Sequence, residues 1–275
     1  MQEQIFHEIE LEQWSQHAAD YDVLFGTVSA QVILPILESL GELAGKHHLD
    51  VACGTGHLVA AMSKRGVLSK GSDFAGPMIH MARCNYPEEQ FEVADAIDLP
   101  FADSSFDAVT CAFGLSHIAR PQTAVAEVFR MLKPGGRFAF TLWFGPDDGG
   151  EFLAIVKEAI DAHATTEVAL PPAWTQWRYA NMATCQRMVE SAGFMAPVFK
   201  TIPVVWEGAE ASELLALIDR LSVRTRLVIS NQPHAVRRRI YTQILSESEA
   251  HRSGKTIRLA WPALLTVVQK PGEGC

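Results

Sequence analysis

Two hydrophobic patterns alternate along the first half of this 275-residue chain. Short apolar runs of strand length are followed by stretches in which apolar residues recur every three or four positions. His48-Leu49-Asp50-Val51-Ala52-Cys53-Gly54-Thr55-Gly56 reads as a short strand entering a glycine turn, with a helix from about His57 to Lys64 behind it. Val67 to Gly71 begins a second strand that ends at Asp73. Pro77-Met78-Ile79 then opens a helix, since proline suits a first helical turn. Phe91-Glu92-Val93-Ala94-Asp95 and Phe106 to Ala112 give a third and a fourth strand. Val125, Val128, Phe129 and Leu132 lie at helical spacing, Lys133-Pro134-Gly135-Gly136 stops that helix, and Phe138 to Trp143 is a fifth strand. Strands alternating with helices predict parallel βαβ units in an open, doubly wound α/β sheet.

The flanking regions are more helical. Trp14, Ala18, Tyr21 and Leu24/Phe25 fall at helix-like spacing near the N-terminus. A turn-rich loop, Gly145 to Gly150, precedes a helix over Glu151 to His163. The Pro-rich segment Leu170 to Tyr179 follows and carries Trp174, Trp177 and Tyr179. After a helix ending near Phe194, a strand is expected over Val198 to Trp206, helices over Ala211 to Arg226 and Pro233 to Glu247, and a final strand over Ile257 to Val268. Leu214, Leu215, Leu217, Ile218 and Leu221 give the first of those helices a broad apolar face. The expected organisation is an N-terminal helical segment at 1–30 and a core at 31–207 that includes an inserted segment at 145–180. A helical insertion at 208–254 and a final strand and tail at 255–275 complete it.

Composition narrows the functional classes. The formal net charge of −9 argues against a nucleic-acid partner. Arg237-Arg238-Arg239 would spread around a helix and reads as a solvated face. The five cysteines are scattered without a CxxC pair, which points to a reducing, cytoplasmic setting and away from a Cys-rich metal site. No ligand cluster calls for a metal. Met1 to Glu12 carries acids and no long apolar stretch, so neither a signal peptide nor a membrane association is expected.

The glycine turn carries the chemistry. Gly54 and Gly56 allow backbone angles closed to other residues and let a ligand approach closely. A dinucleotide fingerprint would place a third glycine where Val59 stands, and a phosphate loop would place a lysine at His57. Two readings remain: a loop of the kind that binds S-adenosylmethionine, with Asp50 as the acid at the strand end, or a glycine turn that only connects strand to helix. Asp73, at the end of the second strand, can accept from both hydroxyls of a ribose. Phe74 and Met78 can pack on adenine faces or in the core. Asp95, followed by Ala96, can accept from an adenine amino group or be an exposed loop acid.

Five segments in order, LDVACGTG, GSDFAGPMI, VADAIDLPF, FDAVTCAFGL and RMLKPGGRF, make residues 44–143 resemble the core of the class I S-adenosylmethionine-dependent methyltransferases. Several pieces are similar to the branch that C-methylates ubiquinone and menaquinone precursors, including Ala52 in the loop and Phe113-Gly114-Leu115 after the fourth strand. The resemblance implies a Rossmann-like, mostly parallel seven-stranded sheet and S-adenosylmethionine as methyl donor. It implies cofactor contacts from Trp14, Tyr21, Asp50, Ala52, Gly54, Gly56, Asp73, Phe74, Met78, Asp95, Ala96, Ala112 and Phe113. In the quinone branch Arg-Asn usually follows the Gly-Leu; this chain has Ser116-His117, so quinone specificity does not carry over.

The acceptor side is read from residues outside those motifs. His117 is the first candidate for a general base, or else orients the cofactor loop; Tyr21 is the second. Trp143, Trp174, Trp177, Tyr179 and His117 are candidate walls for a planar acceptor. Residues 1–30 resemble the family's N-terminal lid, and the inserted helices at 208–254 read as a second lid or as a homodimer contact. The expected activity is methyl transfer to O, N or C of a small, aromatic or heteroaromatic metabolite by in-line displacement. A macromolecular acceptor, or a non-methylating reaction such as cyclisation on the same fold, is the alternative.

Overall fold

The computed structural model describes residues 2–168, 177–272 and 274. In chain order the helices and strands run as follows. Helices α1 (Gln2–Gln16), α2 (Ala18–Leu24), α3 (Gly26–Ser29) and α4 (Ile33–Leu40) lead into β1 (His47–Val51). Then come α5 (His57–Ser63), β2 (Leu68–Asp73), α6 (Gly76–Asn85), β3 (Gln90–Val93), β4 (Phe106–Ala112), α7 (Pro121–Met131) and β5 (Leu132–Trp143). The second half comprises α8 (Glu151–His163), α9 (Met182–Ser191), β6 (Val198–Ile202), β7 (Val205–Gly208), α10 (Ser212–Leu221), α11 (Val223–Ser230) and α12 (His234–Glu249). Strands β8 (Arg252–Ser253), β9 (Thr256–Ala260) and β10 (Ala263–Gln269) finish the chain.

The expected seven-stranded sheet forms in the order β3-β2-β1-β4-β5-β10-β6. Only β10 runs antiparallel to its neighbours, β5 and β6. The chain goes outward from β1 to β2 and β3, then crosses to lay β4 on the other side of β1. That reversal leaves a crevice beyond the carboxyl ends of β1 and β4, the position where open α/β sheets bind ligands. Side chains alternate across the sheet with period two. Val109, Phe138 and Phe140 pack one face with Val125, Val128, Met188 and Val189 of α7 and α9. Ala108 and Ala139 face the opposite layer with Ile36, Leu37, Leu58 and Met62.

Several segments are broken where the hydrophobic pattern ran on. The strand expected over Val198 to Trp206 splits at Pro203 into β6 and β7, which belong to different sheets. The final strand splits at Trp261-Pro262 into β9 and β10, also in different sheets. Proline has no N–H for a ladder, so each apolar run is interrupted where the ladder must stop. β7, β9 and β8 form a small antiparallel sheet. The N-terminal helix breaks at His17 (φ −113°, ψ 15°), and the 211–226 helix breaks at Ser222 (φ −102°, ψ 86°). The Lys133-Pro134-Gly135-Gly136 turn does end α7, but it lies inside β5 as an irregularity opposite Phe106 and Ala108. β3 stops at Val93, which leaves Asp95 in the following turn.

Residues 208–254 share the main core. Leu214, Leu217 and Ile218 of α10, Ile229 of α11, and Val236, Ile240 and Ile244 of α12 are buried in one cluster with Ile36 and Leu37. Each such side chain contributes about 1.5–3 kcal/mol on burial. No single helix among the described residues is long and apolar enough to cross a membrane.

Gly56 caps α5 in the left-handed region (φ 90°), and a Cβ there would lie 2.6 Å from the Phe91 ring. Its hydrogen-only side chain is therefore a packing requirement. Gly56→Ala should cost about 1–3 kcal/mol through backbone strain and the displaced ring; urea unfolding of the variant measures it.

Candidate active site

The carboxyl ends of β1 and β4 turn sharply apart. Ala52 (φ 54°) and Phe113 (φ 62°) both take left-handed backbone conformations, which cost about 1–3 kcal/mol each for residues with a side chain. Gly114 lies against them, and a Cβ on it would overlap the Ala52 Cβ. The absence of that atom lets the two turns sit side by side and open the cleft.

Asp50 forms the floor, 2 % exposed. Thr110 Oγ1 donates to its Oδ1 at 2.6 Å. Behind Thr110 sits His48, fully buried, with Nε2 2.9 Å from Thr110 Oγ1 and Nδ1 2.7 Å from Ser69 Oγ. Burial drives His48 down to about 3, so it is neutral. Thr110 spends its proton on Asp50, so Nε2 carries the His48 hydrogen and Nδ1 accepts from Ser69. Burial pushes the Asp50 carboxyl up to about 7; the Thr110 hydrogen bond tempers this and the nearby Asp73 charge adds to it. Asp73 is pushed up to about 6, again by burial, although Ala75 N donates to Oδ1 at 2.9 Å and Gly54 N to Oδ2 at 3.0 Å. Two buried carboxylates therefore share the cleft with few protein donors.

The N-terminal segment closes over them. Asp22, on α2, accepts from the Thr55 hydroxyl, from His57 Nε2 at 2.9 Å and from Asn85 Nδ2 at 2.7 Å. Burial alone would raise its carboxyl, but those hydrogen bonds outweigh it and hold Asp22 below the ordinary value. α2 is thus stitched to the glycine turn. α1 lies across the opening. Its buried residues are Phe6, Glu10 and Gln13, spaced by one and two helical turns. Phe6 packs with Val223, while Leu11 and Trp14 pack near Ala75 and Met78. His7 approaches Asp95 (3.7 Å) and meets the Phe74 ring edge-on.

One large cavity runs under this roof, with about 1740 Å³ of empty space counting its mouth. Trp14, Tyr21, Asp50, Ala52, Gly54, Asp73, Phe74, Met78, Asp95, Ala96, Ala112, Phe113, His117, Trp143 and Trp177 all line it. Two expected site residues do not. Gly56 is turned into the packing around Phe91, and Tyr179 lies outside, its hydroxyl accepting from Gln122 Nε2 at 2.7 Å. Trp174 lies outside the described residues.

The two ends of the cavity differ. The end at β1, β2 and the turn after β3 is lined with carboxylates. At the other, Phe113 stacks on Trp143 (3.7 Å between centroids, 3° between planes), and Trp261, Phe25 and Phe152 complete an aromatic wall. The buried indole N–H of Trp261 finds no acceptor among the described residues. His117 stands between the ends, bonded through Nδ1 to Glu10 Oε2 at 2.9 Å. Among the described residues, no three His, Cys, Asp or Glu side chains converge as metal ligands would.

Sequence reasoning missed Glu10, His7 and Trp261. A signal for Glu10 existed: it occupies a core position in the Phe6, Glu10, Gln13 spacing. Trp261 sat hidden in what read as one continuous strand.

Residues 49–140 match the family model described as a methyltransferase domain. That stretch is therefore similar to a methyltransferase domain, and the chain's sequence relatives include demethylmenaquinone methyltransferases and ubiquinone/menaquinone biosynthesis C-methyltransferases. It is 44 % identical over 122 residues to the demethylmenaquinone methyltransferase of Thermus thermophilus, a match that covers 42 % of this chain and 55 % of that protein. The chain spans about half the length of the curated relatives it matches, 48 % and 55 % for two of them. Among solved structures, a chain from the complex of the Haloferax volcanii Trm112 methyltransferase activator with a methyltransferase superposes with a TM-score of 0.62 at 19 % identity, covering 94 % of this chain and 98 % of that one. The [4+2]-cyclase SpnF superposes at 0.52 with 19 % identity, covering 88 % and 80 %. Both likenesses establish the fold alone. The matched stretch holds the carboxylate end of the cavity, whereas Trp143, Trp177 and Trp261 lie outside it.

Two outcomes follow from this geometry. An aspartate raised to about 7 costs nothing below the unfolded value near 3.8, and its full penalty applies above pH 7. Asp50→Asn should therefore stabilise the ligand-free protein by an amount that grows between about pH 4 and pH 7, as melting curves across that range would register. Asp22→Ala should release α2 from the glycine turn. Amide exchange at Thr55, His57 and α2 should then rise while exchange in β4 and β5 stays unchanged.

Proposed function

We propose that this protein transfers a methyl group from S-adenosylmethionine to a small, flat, mostly apolar acceptor. The observation that carries the reading is the single cavity with a carboxylate end, an aromatic end and His117 between them. Asp50 and Asp73 are acceptors short of donors. A ligand with ribose hydroxyls and a positive charge supplies what they lack.

In this reading Asp73 takes the ribose hydroxyls and Asp95 the adenine amino group. Phe74, Met78 and Ala96 flank the adenine. Asp50, Ala52, Gly54, Ala112 and Phe113 line the methionyl portion, with Trp14 and Tyr21 above it. When bound, S-adenosylmethionine supplies a methyl group already activated on a sulfonium, whose sulfur keeps the bonding pair as the methyl leaves. The protein's work is then orientation and exclusion of water. The α1 roof and the Asp22 stitches exclude water, and the aromatic wall presents flat faces to a planar acceptor. Burial holds the Tyr21 phenol up to about 12, so it stays protonated and offers a donor. His117 is the base for an acceptor that must lose a proton. Leu217 and Ser222 bring the 208–254 insertion to the acceptor end as a lid. The covered cleft suits a small molecule better than a polymer. Transfer to a phenol, a ring nitrogen or a quinol carbon would fit these walls.

Calorimetry with S-adenosylhomocysteine tests the donor end. A ligand donating to Asp73 selects its ionised form, so affinity should rise as pH climbs through about 6 and level off above it. Asp73→Asn should weaken binding by about tenfold or more and flatten that rise. Unchanged affinity in the variant would remove Asp73 from the site.

A further inference from the structure

α1 does more than cover the cleft. Its residue Glu10 is fully buried, and one of its oxygens, Oε2, receives two bonds. His117 Nδ1 lies 2.9 Å away and Trp14 Nε1 donates at 3.0 Å. Trp14 also packs edge-on against the His117 ring, 4.9 Å between centroids. The two residues lie 107 positions apart in the chain. His117 is fixed at the end of β4, in the short helical turn Gly114–His117. Among the described residues nothing hydrogen-bonds its Nε2, and the ring lines the cavity where the carboxylate and aromatic ends meet.

An ionised carboxylate only accepts, so Nδ1 carries the hydrogen of a neutral His117. The lone pair then sits on Nε2. Without a partner on Nδ1, nothing would select that tautomer or stop the ring from rotating. Trp14 holds Glu10 from one side and buttresses the imidazole from the other, which fixes the ring plane.

We propose that Glu10 is the positioning residue that makes His117 a base, so the docked α1 helix completes the site. This rests on the methyl-transfer reading above. For an acceptor bearing an X–H group, Nε2 takes the proton as the X lone pair closes its bond to the methyl carbon. The imidazolium formed is stabilised by the Glu10 carboxylate and later gives its proton to solvent. No oxidant or reductant is needed. With α1 undocked, His117 loses its partner and the cleft loses its roof together.

The test uses the full chain, Glu10→Ala, Glu10→Gln and His117→Ala. Nitrogen-15 spectra of labelled histidines read the tautomer, and the signal lost in His117→Ala assigns it. The unaltered protein should show Nδ1–H, and Glu10→Ala should move His117 toward Nε2–H. Glu10→Gln, close in shape and able to accept through its amide oxygen, guards against a folding failure and should keep Nδ1–H. Affinity for S-adenosylhomocysteine should stay within about threefold in both Glu10 variants. With 1,4-dihydroxynaphthalene as the probe acceptor and methyl-labelled S-adenosylmethionine, Glu10→Ala should lower kcat about 100-fold, with Glu10→Gln intermediate. An Nε2–H tautomer in the unaltered protein, or one unmoved by Glu10→Ala, would overturn the proposal. So would turnover and cofactor affinity falling together, which would make Glu10 only a strut of the roof. Failure of the unaltered protein to bind S-adenosylhomocysteine would instead overturn the methyl-transfer reading, whatever the tautomer.

Discussion

The hydrogen bond from Thr110 to Asp50 fixes the floor on which the rest of the cleft is built. It bridges β1 and β4 at the one place where the sheet reverses direction, and it is buried at both ends. A buried hydroxyl facing a buried carboxylate is stable only if its own lone pairs are satisfied. His48 and Ser69 do this, so the polar line crosses three strands, from β2 through β1 to β4. Register in this part of the sheet is therefore specified by polar atoms as well as by side-chain packing. A slip of one residue would break that line and turn Asp50 away from the cleft. The left-handed turns at Ala52 and Phe113 begin just beyond it and inherit its alignment.

The carboxylate end of the cavity was legible because its chemistry is local. Glycines at Gly54 and Gly56, acids at Asp50, Asp73 and Asp95, and the stop at Lys133-Pro134-Gly135-Gly136 act within a few residues of where they stand. Even there, Gly56 illustrates a limit: its freedom serves the approach of the Phe91 ring, which no spacing rule contains. The other end of the cavity was less legible because its members meet only through the fold. Glu10 reaches His117, and Trp261 reaches Trp143 and Phe152, across long stretches of chain. The apolar runs around Pro203 and Pro262 concealed two strand breaks, since hydrophobicity reports burial and not which sheet does the burying.

The polar character of α1 follows from its place. A helix over an open cleft needs an inner face able to meet carboxylates, aromatic rings and a histidine. Phe6, His7, Glu10, Gln13 and Trp14 provide that mixture. Its outer face is exposed. A hydrophobic stripe of the usual kind would have sealed the cleft with nothing to say to its contents. The amphipathic signal is consequently weak, although the helix buries some of the most consequential side chains in the molecule.

The chain passes between the large and the small sheet twice, at Pro203 and at Trp261-Pro262, and Trp261 N donates to Val204 O at 2.8 Å where the two passages run side by side. Mechanically, this is a strap with two threads. The small sheet and the helices α10, α11 and α12 lie between its two threads in the chain. Trp261 sits on the strap and is also a panel of the aromatic wall. The position of the small sheet is thereby coupled to the width of the aromatic end of the cavity.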